Sequence, residues 1–203
     1  IPIVKNFIQV DSSIANNIKT INTFNIATFT IGDSSFDNHI SLYGVEKYSN
    51  IKISKKDFQT FKSNLKKQFS DPNQILKSSN KNEIINKALS VLNDYYKDDN
   101  NKLKEIDSAF QLINLVQIDK IFTIDKPETL YNSDVGFINN YLIKLNYSDI
   151  NYYSSLQISF ALLNNFYIGI SSSFDAVTKK DYDEILKKIK DFLDELIRLN
   201  PSK

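Results

Sequence analysis

The 203-residue chain contains no cysteine, no methionine and no tryptophan. Without cysteine there can be no disulfide framework, no thiol nucleophile and no thiolate-held metal. Arginine occurs once, at Arg198, against 24 lysines, so bidentate guanidinium clamps for carboxylate or phosphate have almost nothing to be built from. Histidine also occurs once, at His39, which leaves only an all-oxygen cation site, and "DSSFDNH" has neither the spacing nor the glycine of a calcium loop. Four isolated glycines cannot assemble a phosphate-cradling loop. No apolar run approaches the roughly 20 residues needed to span a bilayer. With 25 Lys and Arg against 24 Asp and Glu, the net charge of +1 gives no long-range field to draw in nucleic acid or an anionic membrane. Metal, cofactor and nucleic acid are therefore not expected.

What the chain does have is 41% hydrophobic residues over a length that suits one domain, 1–203, with residues 1–23 read as extended or loosely ordered. From Phe24 to Ile53 apolar residues alternate, predicting two or three strands. Ser54-Lys55-Lys56-Asp57 is a capping box, and Phe58, Phe61, Leu65 and Phe69 follow at helical spacing, predicting a helix over 55–69 closed by Asp71-Pro72. Asn80 to Glu83 is a second capping signal, opening a helix whose apolar stripe runs from Ile84 to Tyr96. Lys97 to Lys104 reads as a solvated connection. Beyond it Phe110, Leu112, Val116, Ile118, Phe122 and Ile124 are mostly two apart and predict extended chain, with a turn around Lys126-Pro127-Glu128.

Phe137–Tyr147 predicts a further strand. "SSLQISFALLNNFYIGISSSFD", residues 154–175, predicts a hairpin turning at Asn164-Asn165, a pair that tolerates positive φ. Thr178 and Asp181 cap a last helix with Tyr182, Ile185, Leu186, Ile189, Phe192, Leu193, Leu196 and Leu199 on one face and Pro201 just beyond its end. These elements predict an α+β fold: an antiparallel sheet, meandering in the C-terminal half, against a long C-terminal helix, with two further helices in the 55–97 region. On the hairpin, Leu156, Ile158, Phe160 and Leu162 are expected to share the helix-covered face with Phe166, Ile168 and Ile170. Gln157, Ser159, Tyr167, Gly169, Ser171 and Ser173 are expected on a second face open to solvent or a partner.

The string "FTIGDSSFDNH", residues 29–39, resembles the nucleophile block of the GDS-type serine esterases. That resemblance implies Ser34 as nucleophile, with a distal Asp-x-x-His pair supplying the base. Here the single histidine is His39, five residues from Ser34, and Ser34 with His39 are the catalytic candidates this reading offers. Read as residues, Gly32-Asp33 is equally a turn whose side chains satisfy its amides. The acidic groups at Asp98-Asp99 and at Asp181, Asp183 and Glu184 fall where solvated charge is expected, a loop and a first helical turn. Tyr131, Tyr141, Tyr152, Tyr153 and Tyr167 form the candidate ligand or partner surface, since aromatic groups with a polar tip are common in binding sites.

The C-terminal 45 or so residues, from "LLNNFYIGISSSFDAVTKKDYDEILKKIKDFLDELIRLNPSK", resemble the end of a loose group of uncharacterised exported bacterial proteins that close with an apolar hairpin, a long helix and Asn-Pro. The resemblance implies fold and address alone. The chain opens Ile1-Pro2 without an initiator methionine, and removal of an export signal is the expectation, with a cytoplasmic chain trimmed to its ordered part as the alternative. The reading is of a non-enzymatic exported protein, periplasmic or surface-anchored, with a lipid anchor in the precursor as an option. It would bind a protein or an envelope component; the alternative is a small serine hydrolase using Gly32-Asp33-Ser34.

Overall fold

The computed structural model describes residues 8–10, 23–30, 38–48, 50–68, 81–115, 122–125, 127–147 and 149–203. Among these residues eight strands form one antiparallel sheet: β1 (Ile8–Val10), β2 (Thr23–Thr30), β3 (His39–Val45), β4 (Phe122–Ile124), β5 (Glu128–Ser133), β6 (Gly136–Tyr147), β7 (Ile150–Leu163) and β8 (Phe166–Ala176). Their order is β1-β2-β3-β8-β7-β6-β4, with β5 also pairing β6. Among the described residues four helices accompany them: α1 (Lys55–Gln68), α2 (Lys81–Tyr95), α3 (Asn100–Leu115) and α4 (Lys179–Leu199). The α+β class, the antiparallel sheet and the long C-terminal helix expected from the sequence are all present.

Two of the three caps read from sequence, at Ser54 and Thr178, form as expected. Ser54 Oγ accepts from Asp57 N at 3.1 Å and donates to its carboxylate, starting α1. Thr178 does the same with Asp181 at the start of α4. Asn164 and Asn165 take φ of 51° and 69°, so β7 and β8 are joined by a two-residue turn of the left-handed kind.

One predicted element is corrected. Residues 100–115 are helix, where Lys97–Lys104 was expected to be a solvated connection and the chain from Phe110 extended. Asp99 Oδ1 accepts from the amides of Asn101 and Lys102, both at 3.1 Å, and so caps α3. Ile106, Ala109 and Phe110 are then buried at spacings of three and four, beside the partly buried Leu103. The period-two run from Phe110 was a coincidence of its first members. Phe122 and Ile124 are extended, in β4, whereas Val116 and Ile118 lie outside the described residues, as do Phe69, Asp71-Pro72, Asn80 and Lys126.

The faces of the hairpin are corrected as well. The turn sets Leu163 opposite Phe166, Ala161 opposite Ile168 and Ser159 opposite Ile170. Residues directly opposite share a face, so odd positions of β7 go with even positions of β8. Helix α4 thus covers Ala161, Leu163 and Ile170 together with Phe29, Ile40, Leu42, Ile138 and Phe174. Phe160 and Leu162 lie with Tyr167 on the other face. Gln157 and Ser159 go beneath α4, where they are buried.

The second face is not open. Helix α1 packs Phe58 and Phe61 on Phe137, Phe160, Leu162 and Tyr167, while α2 and α3 pack Ala88, Leu92, Ile106 and Phe110 on Leu145, Ile150, Tyr152 and Val177. The sheet is the middle of three layers, which is why so many of its strand residues are apolar on both sides.

Candidate functional site

A half-open cavity of about 300 Å³ lies where α1 meets the end of the β7–β8 hairpin. Its walls are Tyr48, Phe58, Phe61 and Tyr167, with Ile51 and Ile53 beside them and Lys52 and Asp57 as the charged members of the lining. The rings are ordered around Tyr167: Phe61 meets it edge-on with centroids 4.7 Å apart, Tyr48 edge-on at 6.0 Å, and Phe58 tilted at 6.5 Å.

Helix α1 and the segment before it are fixed from outside the cavity. The segment before α1 is bonded to the hairpin turn through Ile53 N and Asn165 O at 2.7 Å. Helix α1 is tied to the β5–β6 turn by Gln59 Nε2 donating to Asp134 O and Lys62 Nζ donating to Ser133 O, both at 2.7 Å, with Asn132 Oδ1 a further acceptor for Lys62. Lys62 is buried, and desolvation pulls its pKa below the usual lysine range, with Lys66 acting in the same direction and Asp134 against it. The aromatic walls therefore do not have to close on a ligand in order to exist.

Tyr167 is 5% exposed, and its hydroxyl has no hydrogen-bond partner among the described residues. Burial pushes its pKa well above the ordinary tyrosine value, helped by the neighbouring Tyr43 and Tyr48. The cavity thus holds a neutral, unspent hydroxyl among rings. At the mouth, Ile51 is 50% exposed, one of the few large apolar side chains left in water.

A second polar group of residues lies on the same sheet face, farther along β8. Lys87, reaching down from α2, has Nζ 2.8 Å from Asp175 Oδ2 and donates to Ser173 Oγ at 3.0 Å. Tyr152 Oη donates to Asp175 Oδ1 at 2.6 Å, and Asp175 N donates to Asn38 Oδ1 at 3.0 Å. His39 pairs in register with Ser173. The cluster ties α2 to the sheet, although the buried Asp175 Oδ2 has the Lys87 ammonium beside it without a hydrogen bond of regular geometry.

The candidate residues read from sequence are dispersed. Tyr131 and Tyr153 lie on the α4 side, Tyr153 with its ring centroid 5.9 Å from that of Tyr182. Tyr141 and Tyr152 are fully buried on the other side, and neither can meet a partner. The five tyrosines do not form one surface, because successive strand residues point to opposite faces. Of these, Tyr167 lines the cavity described above. His39 begins β3, and Ser34 lies outside the described residues.

The cavity residues Tyr48, Ile51, Phe58 and Phe61 were not singled out from sequence as a site. Phe58 and Phe61 read there as core stripe, and only the tertiary meeting of α1 with the hairpin exposes a gap between them. Among the described residues no group of three or more His, Asp or Glu is placed to hold a metal ion, and no helix is long and apolar enough to cross a membrane. No protein-family model, curated protein or solved structure gives a significant match to the chain.

Proposed function

We propose that the protein is a binding module, and that its site is the aromatic cavity between α1 and the β7–β8 turn. The observation that carries this reading is a preformed recess of about 300 Å³ lined by four aromatic rings and two isoleucines, on a fold whose sheet is otherwise covered on both faces. Small-molecule sites are concave, largely apolar and equipped with a few polar groups, and they span about 300–1,000 Å³. This one stands at the lower end, which fits one ring or one short aliphatic chain. Tyr167 and Lys52 supply the polar groups.

The test is a titration of isotope-labelled protein with short amphipathic probes, followed by NMR. Saturable shifts centred on Tyr48, Ile51, Ile53, Phe58, Phe61 and Tyr167, and lost when Phe61 is changed to a bulkier or polar residue that fills the recess, are expected. Shifts scattered over the surface, or none at millimolar probe, would refute the site.

A further inference from the structure

Resting on that reading, the charge around the mouth narrows the occupant. Between Glu46 and Phe58 the chain carries Lys47, Lys52, Lys55 and Lys56 against Glu46 and Asp57. Asp57 is engaged by Ser54 as the cap of α1, both through its carboxylate and through its amide. Lys52 lines the cavity, and Lys55 and Lys56 stand in the turn of α1 just ahead of Asp57 and Phe58. All three are exposed, and none has an acidic partner among the described residues. Elsewhere some lysines are paired, Lys87 with Asp175, Lys102 with Glu105 and Asp149, Lys144 with Asp125, and Lys179 with Asp183, while others, such as Lys187, Lys188 and Lys190 on α4, stand in water as these do. The mouth of the cavity is a place where apolar surface and unpaired ammonium groups coincide.

We infer that the cavity takes a small amphipathic anion, its ring or short alkyl chain lodged among Tyr48, Phe58, Phe61 and Tyr167 and its carboxylate held at the mouth by Lys52. An apolar wall alone would accept a neutral or cationic molecule equally. The lysines discriminate by number, because Lys52, Lys55 and Lys56 stand against the one carboxylate of the lining, Asp57, which Ser54 already engages, and an anionic head would supply the missing partner. Their exposure keeps each contribution small and open to screening by salt.

Three probes of one length separate this inference from the reading beneath it: hexanoate, hexan-1-ol and hexylammonium, each titrated by NMR into the whole protein at low ionic strength. Hexanoate should bind at least about threefold more tightly than hexan-1-ol, with hexylammonium weakest, as befits one or two exposed charge contacts. That preference should shrink below about twofold in Lys52→Gln and in about 0.5 M salt, where the Debye length falls to a few ångströms. Equal binding of hexanoate and hexan-1-ol at the cavity residues would overturn the anion inference and leave the binding site standing. If none of the three moves those residues, the site itself fails. Lys52 is exposed, so the Lys52→Gln protein should melt with the wild type and the comparison stays interpretable.

Discussion

The ring of Tyr43 on β3 lies directly over Gly169, its near neighbour in register on β8. A β-carbon built at position 169 would fall within that ring, against Cε2, Cζ and the hydroxyl. The glycine is therefore there for space, since its backbone is ordinary strand. Tyr43 in turn packs on the α1 side of the sheet, beside Tyr167 and the aromatic cavity. Gly169→Ala should destabilise the protein by about 1–3 kcal/mol, as overpacking of a filled core does. In the Tyr43→Ala background the same change should cost far less. Urea melts of the four proteins form the cycle that checks this, and additive costs would show that ring and glycine do not meet.

Helix α4 offers a direct contrast of its two faces. Ile189 is 2% exposed, within the cluster that joins α4 to Phe29, Leu42 and Phe174, while its neighbour Lys188 is in water. Ile189→Ala should cost about 2–5 kcal/mol in urea melts. Lys188→Ala should cost under about 0.5 kcal/mol. Equal costs would mean that the helix is rotated from the position described.

Two tyrosines on opposite faces should answer the same substitution differently. Tyr182 Oη accepts from Asn140 Nδ2 at 2.7 Å, and Asn140 Oδ1 accepts from Ser155 Oγ at 2.5 Å, all three being buried beneath α4. Tyr182→Phe strips the amide of its acceptor and should cost about 1–3 kcal/mol. Tyr167→Phe removes a hydroxyl that no protein group satisfies, and should change stability by less than about 0.5 kcal/mol. Reversal of that order in thermal melts would displace the cavity hydroxyl from its proposed role.

The same groups set the alkaline limit. Burial, chiefly, raises Tyr182 from 10.0 to about 12, against a smaller lowering by Asn140. A raised folded pKa means that the neutral phenol is favoured in the native state. Its stabilisation is complete below pH 10 and is lost as the pH climbs towards 12. Tyr43 and Tyr167 are shifted in the same direction by burial. Lys62, lowered by desolvation, works oppositely: its contribution is present above its unfolded value of 10.5 and lost as the pH falls through its folded one. Three tyrosines outweigh one lysine, so urea midpoints should fall steadily above pH 10. In Tyr182→Phe they should fall less steeply than in the wild type, and parallel curves would contradict the assignment.

What could be read from the residues was whatever local chemistry decides. The capping pairs at Ser54 and Thr178, the Asn164-Asn165 turn and the stripe on α4 are set by neighbours three or four apart, and they are where the sequence places them. Helix α3 was missed because Asp99 lay within a run of polar residues, where its role as a cap looked no different from solvated charge. The faces of the hairpin were misjudged although the turn alone determines them: a two-residue loop makes odd positions meet even ones. The tyrosines failed as a surface for a tertiary reason. Helices α2 and α3 come from far away in sequence and bury Tyr152. The cavity could not be read at all, since it is the gap left between α1, a strand end and a turn.

The remaining prediction concerns the alternative raised by Gly32-Asp33-Ser34. Acyl transfer needs a base within about 3 Å of the nucleophile and donors aimed at the developing oxyanion. His39 is the only imidazole in the chain, and among the described residues its partner in register on β8 is Ser173. Ser173 Oγ already accepts from Lys87 Nζ at 3.0 Å, and Lys87 in turn faces Asp175. Lys87 thus meets that serine as a donor, which is the wrong polarity for drawing off its proton. The purified protein should accordingly leave short nitrophenyl esters at the background rate of hydrolysis, and Ser34→Ala, Ser173→Ala and His39→Ala should leave that rate unchanged. Turnover abolished by both Ser34→Ala and His39→Ala would make the esterase reading correct. Turnover abolished by Ser173→Ala and Lys87→Ala would instead move the chemistry to the cluster on β8, and in either case the binding module would give way to an enzyme.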